Sequence, residues 1–330
     1  MNSRLFQTFA LTFLIFGFTT GLSGCHLWKS HSSESSKSSE IPVFDQDYAY
    51  DSILKYEKFG PKVPGNEAHI KTGDWIVSEL KSFGAVVQEQ RTTAVTFDKK
   101  TIPVRNIIAQ YNPDAKTRYL LSAHWDNRPF SDEDPDPKYK NKPVPGVNDG
   151  GSGVVVLLGI AKALHEKKFE NIGVDLLFLD AEDWGTPSNE DTYCLGTQHW
   201  AKDPVPANYQ AKFGINYDMV GRVGSVFPIE SYSYEKGAFV YDQLQTAAKQ
   251  LGYQDFFPKY RIGPIIDDHV YLMKGRGFPV IDLIYMTPEG RFPPEWHTHE
   301  DTSDHISRDV LKVVGQTTLQ LLSDEESPAK

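Results

Sequence analysis

The sequence predicts an α/β fold, a three-layer sandwich around a mixed, largely parallel central sheet, and three observations carry that reading. Short apolar runs at residues 119–123, 174–179, 213–217 and 279–284 have the bounded form of buried strands. Longer stretches at residues 152–166, 237–251 and 308–322 place apolar side chains three and four apart, as helices packed on a sheet do. Polar clusters fall just after the strand runs, where open sheets of alternating strands and helices bind their ligands.

The 330 residues are 39% hydrophobic, 12% aromatic and 24% charged, too apolar for wholesale disorder and too polar for a polytopic membrane protein. Lys and Arg total 34 against 44 Asp and Glu, a formal net charge of −10, so no nucleic acid is expected as a partner. Residues 5–21 form an apolar run behind the single charge of Arg4, the form of an export signal. Leu22-Ser23-Gly24-Cys25 resembles a bacterial lipobox, so residues 1–24 are expected to be a lipoprotein signal peptide cut before Cys25, whose thiol receives lipid. Residues 25–42 then read as the lipidated cysteine and a flexible tether rich in Ser, Lys, His and Glu. The expected location is a bacterial cell envelope, periplasmic or anchored to the outer membrane, with the lipid as the membrane contact. Cys194, the other cysteine, reads as a small buried hydrophobe. Two cysteines build no disulfide framework.

From residue 43 onward no repeat or second low-complexity segment occurs, so residues 43–330 read as a single α/β domain. Residues 70–83 form an amphipathic helix closed by Gly84, and residues 85–96 with 104–111 form a strand pair at a sheet edge. The run at 119–123 leads into His124-Trp125-Asp126. Trp125, Arg128 and the acidic residues 132–136 read as a loop near the mouth of a pocket, either solvated surface or in contact with substrate. Asn148-Asp149-Gly150-Gly151-Ser152-Gly153 opens the next helix; it lacks the spacing of a phosphate loop and reads as a ligand-presenting turn. The run at 174–179 ends in Asp180-Ala181-Glu182-Asp183, the run at 213–217 in Asp218, and the run at 279–284 in a loop reaching Trp296-His297-Thr298.

Adjacent buried carboxylates such as Glu182 and Asp183 repel and are driven to protonate unless a cation accompanies them. A metal keeps one charged as a ligand and frees the other for proton transfer. Asp149, Asp183 and His297 together offer the mixed oxygen and nitrogen set that zinc takes in a catalytic site with an open fourth position.

These residues resemble the zinc exopeptidases of the M28 type and, within that fold, the glutaminyl-peptide cyclotransferases. The resemblance runs from about Val43 to Leu322 on His124-Trp125-Asp126, Asn148-Asp149-Gly150, Ala181-Glu182-Asp183, Tyr217-Asp218-Met219, Asp267-Asp268-His269 and Trp296-His297-Thr298. The tryptophan before the metal histidine and the Asp-Asp-His triplet are cyclase-like. The chain is particularly similar to cell-envelope glutaminyl cyclases of Bacteroidetes-type bacteria, whose Ala-Glu-Asp motif has aspartate where animal enzymes have glutamate. The resemblance implies one zinc held by Asp149, Asp183 and His297, with Glu182 as general acid and base and Asp218 and Asp267 as acids networked to it. It implies a pocket wall at Trp296; Trp184 either joins that wall or packs in the core. It departs at Asp282, where animal cyclases carry histidine, and at Ile266, where they carry a polar residue.

The implied reaction is an acyl transfer that converts the N-terminal glutamine of peptides and proteins to pyroglutamate and releases ammonia. The nucleophile is the substrate's own amine, so no activated water is required. The alternative is a dizinc aminopeptidase of the M28 type, in which Asp149 bridges two metals, His124 and Asp218 complete the second site and Asp126 orients His124. The same His124 and Asp126 occur in cyclases without a second zinc.

Overall fold

The computed structural model describes residues 41–287 and 289–326. The expected signal peptide, Cys25 and all but the last residues of the tether lie outside them. Six strands form one sheet in the order β1-β2-β4-β3-β5-β6: β1 Val86–Val95, β2 Thr101–Tyr111, β3 Thr117–His124, β4 Ile172–Leu179, β5 Phe213–Asp218 and β6 Val280–Ile284. β1 and β2 pair antiparallel, β2 meets β4 antiparallel, and β4, β3, β5 and β6 run parallel. The helices are α1 Gln46–Lys58, α2 Glu67–Ser82, α3 Gly151–Glu166, α4 Leu195–Lys202, α5 Ser231–Leu251, α6 Asp268–Arg276 and α7 Arg308–Glu326.

Side chains alternate across a strand, and the alternation here divides two cores. Ile107, Ala109, Leu121, Leu176, Phe178 and Ile215 face one cluster with apolar residues of α1, α2, α3, α5 and α7. Ile108, Leu120, Leu177, Leu179 and Val280 face the other with Trp200 of α4 and Leu272 of α6. Helices therefore cover both faces, and the predicted three-layer sandwich is observed. β4 is buried along its whole length, as a parallel strand covered on both faces must be.

Boundaries differ from the sequence expectation where a cap or a proline governs them. α2 starts three residues earlier than the periodic run because Asn66 accepts from the His69 N–H at 2.7 Å. α5 starts at Ser231, where Glu230 caps it, and bends at Gly237, whose φ of −131° interrupts the helix. β2 begins three residues before the expected strand. Pro103 has no N–H to give a ladder, and it lies in the part of β2 that pairs with β1 alone.

Candidate active site

The parallel strands end at one rim, and their sequels supply the polar groups. β3 ends on His124, β4 runs into Asp180–Asp183 and β5 ends on Asp218. Asp267 caps α6, and the loop after β6 brings His297 back. Four non-glycine residues beside or within this cluster hold left-handed backbone: Ala181, Cys194, Met219 and His297, with φ between 51° and 55°. Strained backbone gathered at one rim is what a site aiming specific side chains requires. Gly150 is fixed by space as well as by its φ of 78°, because a Cβ there would lie 2.8 Å from Cε1 of His124.

Asp149, Asp183 and His297 converge: one donor atom from each lies within 4.8 Å of the other two. Nε2 of His297 stands 3.3 Å from Oδ1 of Asp183 and 3.6 Å from Oδ2 of Asp149. The other oxygen of Asp149 faces His124, whose Nε2 lies 3.1 Å from it and 3.3 Å from Oδ1 of Asp218. Asp149 thus stands between two donor groups. A third group joins Glu182, Cys194 and Asp267, again with donor atoms within 4.8 Å.

The electrostatics follow from crowding acids in a buried place. Burial and the charge of Asp183 push Asp149 up to about 6. Burial, with Asp183 and Asp267 adding to it against the pull of His124, holds Glu182 well above the usual carboxylate range. Asp267 is pushed up to about 6 by burial and by Asp218. Burial opposes a charge on His124, yet the surrounding Asp126, Asp149 and Asp218 raise it well above an ordinary imidazole. Asp183 alone of the triad's acids is held below its usual value, burial being outweighed by His297 and Arg128. Two buried carboxylates and an imidazole, facing one another with no neutral spacer, form a donor set that suits a divalent ion such as zinc.

The backbone around these residues is clamped by two further carboxylates. Asp126 accepts from the N–H of Glu182 at 2.9 Å and of Asp183 at 3.2 Å. Asp301 accepts from the N–H of Asn148 at 2.8 Å and of Asp149 at 3.0 Å. Asp126, expected to orient His124, stands 3.7 Å from Nδ1 of that ring while its two oxygens also accept from the backbone. Sequence reasoning missed Asp301, Cys194 and Arg128. Cys194 donates its thiol to Oε1 of Glu182 at 3.3 Å, and Arg128 is buried rather than solvated.

A cavity of about 350 Å³ opens over the cluster, with Glu182, Asp218 and Asp267 on its polar side. Its apolar lining includes Tyr193, Ile265, Ile266, Met286, Phe292 and Trp296. Trp296 stacks between Phe292 at 4.3 Å and the His297 ring at 3.6 Å, centroid to centroid. Trp184 is not in this wall. It packs with Ile102, Val104 and Ala181, the core alternative.

The model of peptidase family M28 matches residues 106–322. The chain belongs to peptidase family M28. Among solved M28-like structures, the Bacteroides thetaiotaomicron glutaminyl cyclase bound to N-acetylhistamine is 41% identical. The match covers 86% of this chain and 99% of that one, with a TM-score of 0.84. A Zn-dependent exopeptidase from Parabacteroides distasonis is 42% identical over 88% of this chain and 100% of that one, with a TM-score of 0.83. The glutaminyl-peptide cyclotransferase of Bos taurus is 24% identical over 234 residues, 62% of each chain, so the match spans about three fifths of that relative's length. The expected M28 membership is borne out by the family match, and the expected resemblance to glutaminyl cyclases by the likeness to a solved one.

Proposed function

We propose that this M28 protein is a zinc-dependent glutaminyl-peptide cyclotransferase, an acyltransferase that closes the N-terminal glutamine of peptides and proteins to pyroglutamate and releases ammonia. The observation that carries the reading is one cavity in which Glu182, the Asp149–Asp183–His297 group and the Trp296 wall are all presented together. The likeness to a glutaminyl cyclase along 99% of its chain supports it.

Asp149, Asp183 and His297 would hold the zinc, which when bound supplies a Lewis acid for the γ-carbonyl of the glutamine side chain. Glu182 takes the proton of the attacking α-amine and returns it to the departing ammonia. Its raised affinity for protons, set by burial and by Asp183 and Asp267, suits both halves of that exchange. Asp267 lies beside Glu182 in the same donor group, and Asp218 faces His124 on the pocket's polar side. Trp296 and Phe292 pack the aliphatic part of glutamine and exclude the water that would compete with the tethered amine.

The aminopeptidase reading has its own observation: the His124–Asp149–Asp218 group is assembled closely enough to hold a second ion. The test is direct. The protein lacking residues 1–24 is expected to release ammonia from peptides that begin with glutamine and to lose that activity to chelators. Release of free amino acids from diverse N-termini, with no pyroglutamate, selects the aminopeptidase instead. Export and lipidation at Cys25 complete the proposal. Incorporation of labelled fatty acid, abolished by Cys25→Ala, tests them.

A further inference from the structure

The sequence leaves Arg128 and the acidic residues 132–136 as solvated surface. Arg128 is 1% exposed, and its guanidinium forms a fork with Asp132, Nε to Oδ1 at 2.7 Å and Nη2 to Oδ2 at 2.6 Å. Its third nitrogen, Nη1, donates to the carbonyl of Asp183 at 3.1 Å and to Oδ1 of the same residue at 3.2 Å. Oδ1 of Asp132 in turn stands 3.6 Å from Nδ1 of His297, on the side of the ring away from the Asp149 and Asp183 oxygens. The contacts close a ring: Arg128 to Asp132, Asp132 to His297, His297 to Asp183, and Asp183 back to Arg128.

The same loop also grips the backbone that carries His297. The Glu133 N–H donates to the His297 carbonyl at 3.3 Å, and Asp134 accepts from the His299 N–H at 2.9 Å. His297 has a left-handed φ of 54°, a conformation that a non-glycine residue keeps only when its surroundings impose it. A carboxylate beside the outer nitrogen of an imidazole favours one aim of the ring by its charge, and a planar guanidinium holds two acceptors at set angles where an ammonium does not.

We infer that Arg128 is a positioning residue that acts with Asp132 to hold Asp183 and His297 in the orientation a divalent metal ion needs. The inference rests on the metal reading of the Asp149–Asp183–His297 group and is independent of whether the reaction is cyclisation or hydrolysis. Two physical effects of Arg128 oppose each other. Its positive charge beside Asp183 repels a cation, so charge alone makes its removal tighten metal binding. Its geometry aims two ligands, so orientation makes removal loosen binding.

The experiment is competition for zinc between the purified protein and a chromogenic chelator, with melting of the metal-free protein as a check on folding. Arg128→Lys keeps the charge and loses the fork. Asp132→Asn keeps the shape on a side chain 38% exposed and removes the charge that faces His297. Asp136→Asn, whose carboxylate pairs with Lys138 on the surface, is the charge control. The expected result is zinc affinity about 10- to 100-fold weaker in both Arg128→Lys and Asp132→Asn, with Asp136→Asn like the wild type. Unchanged or tighter binding in Arg128→Lys overturns the inference, as does an equal loss in Asp132→Asn and Asp136→Asn. If Arg128→Lys fails to fold, Asp132→Asn decides by the same criterion. A wild-type protein that holds no zinc removes the metal reading, and this inference with it; a wild type and variants that hold it equally remove this inference alone.

Discussion

The Sγ of Cys194 donates to Oε1 of Glu182 at 3.3 Å, and the backbone N–H of the same cysteine donates to the Glu182 carbonyl at 2.8 Å. One residue thus grips the proposed proton carrier by side chain and by backbone. The left-handed φ of 54° at Cys194 aims the thiol inward, and the next two N–H groups, of Leu195 and Gly196, continue the pairing onto Ala181 and Asp180. A cysteine read from sequence as filler is therefore part of how Glu182 is aimed.

Cys194→Ala is expected to lower kcat about two- to fivefold with KM little changed, since a hydrogen bond from a weak thiol donor contributes roughly 0.5–1 kcal/mol. Cys194→Ser is expected to keep more activity than the alanine variant because it keeps a donor. Steady-state kinetics of the two variants decide it. If packing alone mattered, alanine would be the better replacement.

Glu182→Gln is expected to reduce kcat by about two to four orders of magnitude, the usual worth of general acid and base catalysis, while zinc content stays at the wild-type level. Elemental analysis beside the activity assay separates this from loss of the site. A fully active variant would remove Glu182 from the mechanism.

Asp126→Ala is expected to destabilise the fold by about 2–4 kcal/mol, because two backbone N–H groups lose a charged acceptor in a buried place. Denaturant melts measure it. Activity should fall as well, since the peptide released from the clamp carries both Glu182 and Asp183.

The metal-free protein is expected to lose stability as pH rises from about 4 to 8. Asp149 and Asp267 are raised to about 6 and Asp301 to about 8, so over that range the folded state binds protons that the unfolded chain has released. Stability then falls with pH, and the raised His124 adds the same sign. Asp183, held low, acts only below the window. Zinc, which takes the deprotonated carboxylates, should flatten the decline, so the gap between chelated and zinc-loaded melting temperatures should widen toward pH 8. A gap that narrows instead would contradict this account of the acids.

Much of the architecture was legible because the parallel strands are short, apolar and punctuated. β3, β4, β5 and β6 stand within a few residues of their sequence-derived bounds, and each polar sequel lies at the rim where the topology puts it. Asp149, Asp183 and His297 were legible as donor types and converge as the motifs implied. The supporting layer was legible only in part, Asp126 having been read as a partner of His124 alone, for a physical reason. Asp126 and Asp301 act on backbone N–H groups, which carry no residue signature, and the partners of Asp301 lie more than 150 positions away. Arg128 was hidden by its acidic neighbours, which made a buried ion pair look like a charged loop. Trp184 had two readings of equal weight, and its packing with Ile102, Val104 and Ala181 decided for the core.

The most direct test of the central claim measures bound metal and products in one preparation. Zinc per chain is determined by elemental analysis while a peptide beginning with glutamine and a set with other N-termini are followed for ammonia, pyroglutamate and free amino acids. The account expects one zinc per chain, with ammonia and pyroglutamate formed together from the glutamine peptide alone. Two zincs per chain with free amino acids released from the varied peptides, and no pyroglutamate, would contradict it.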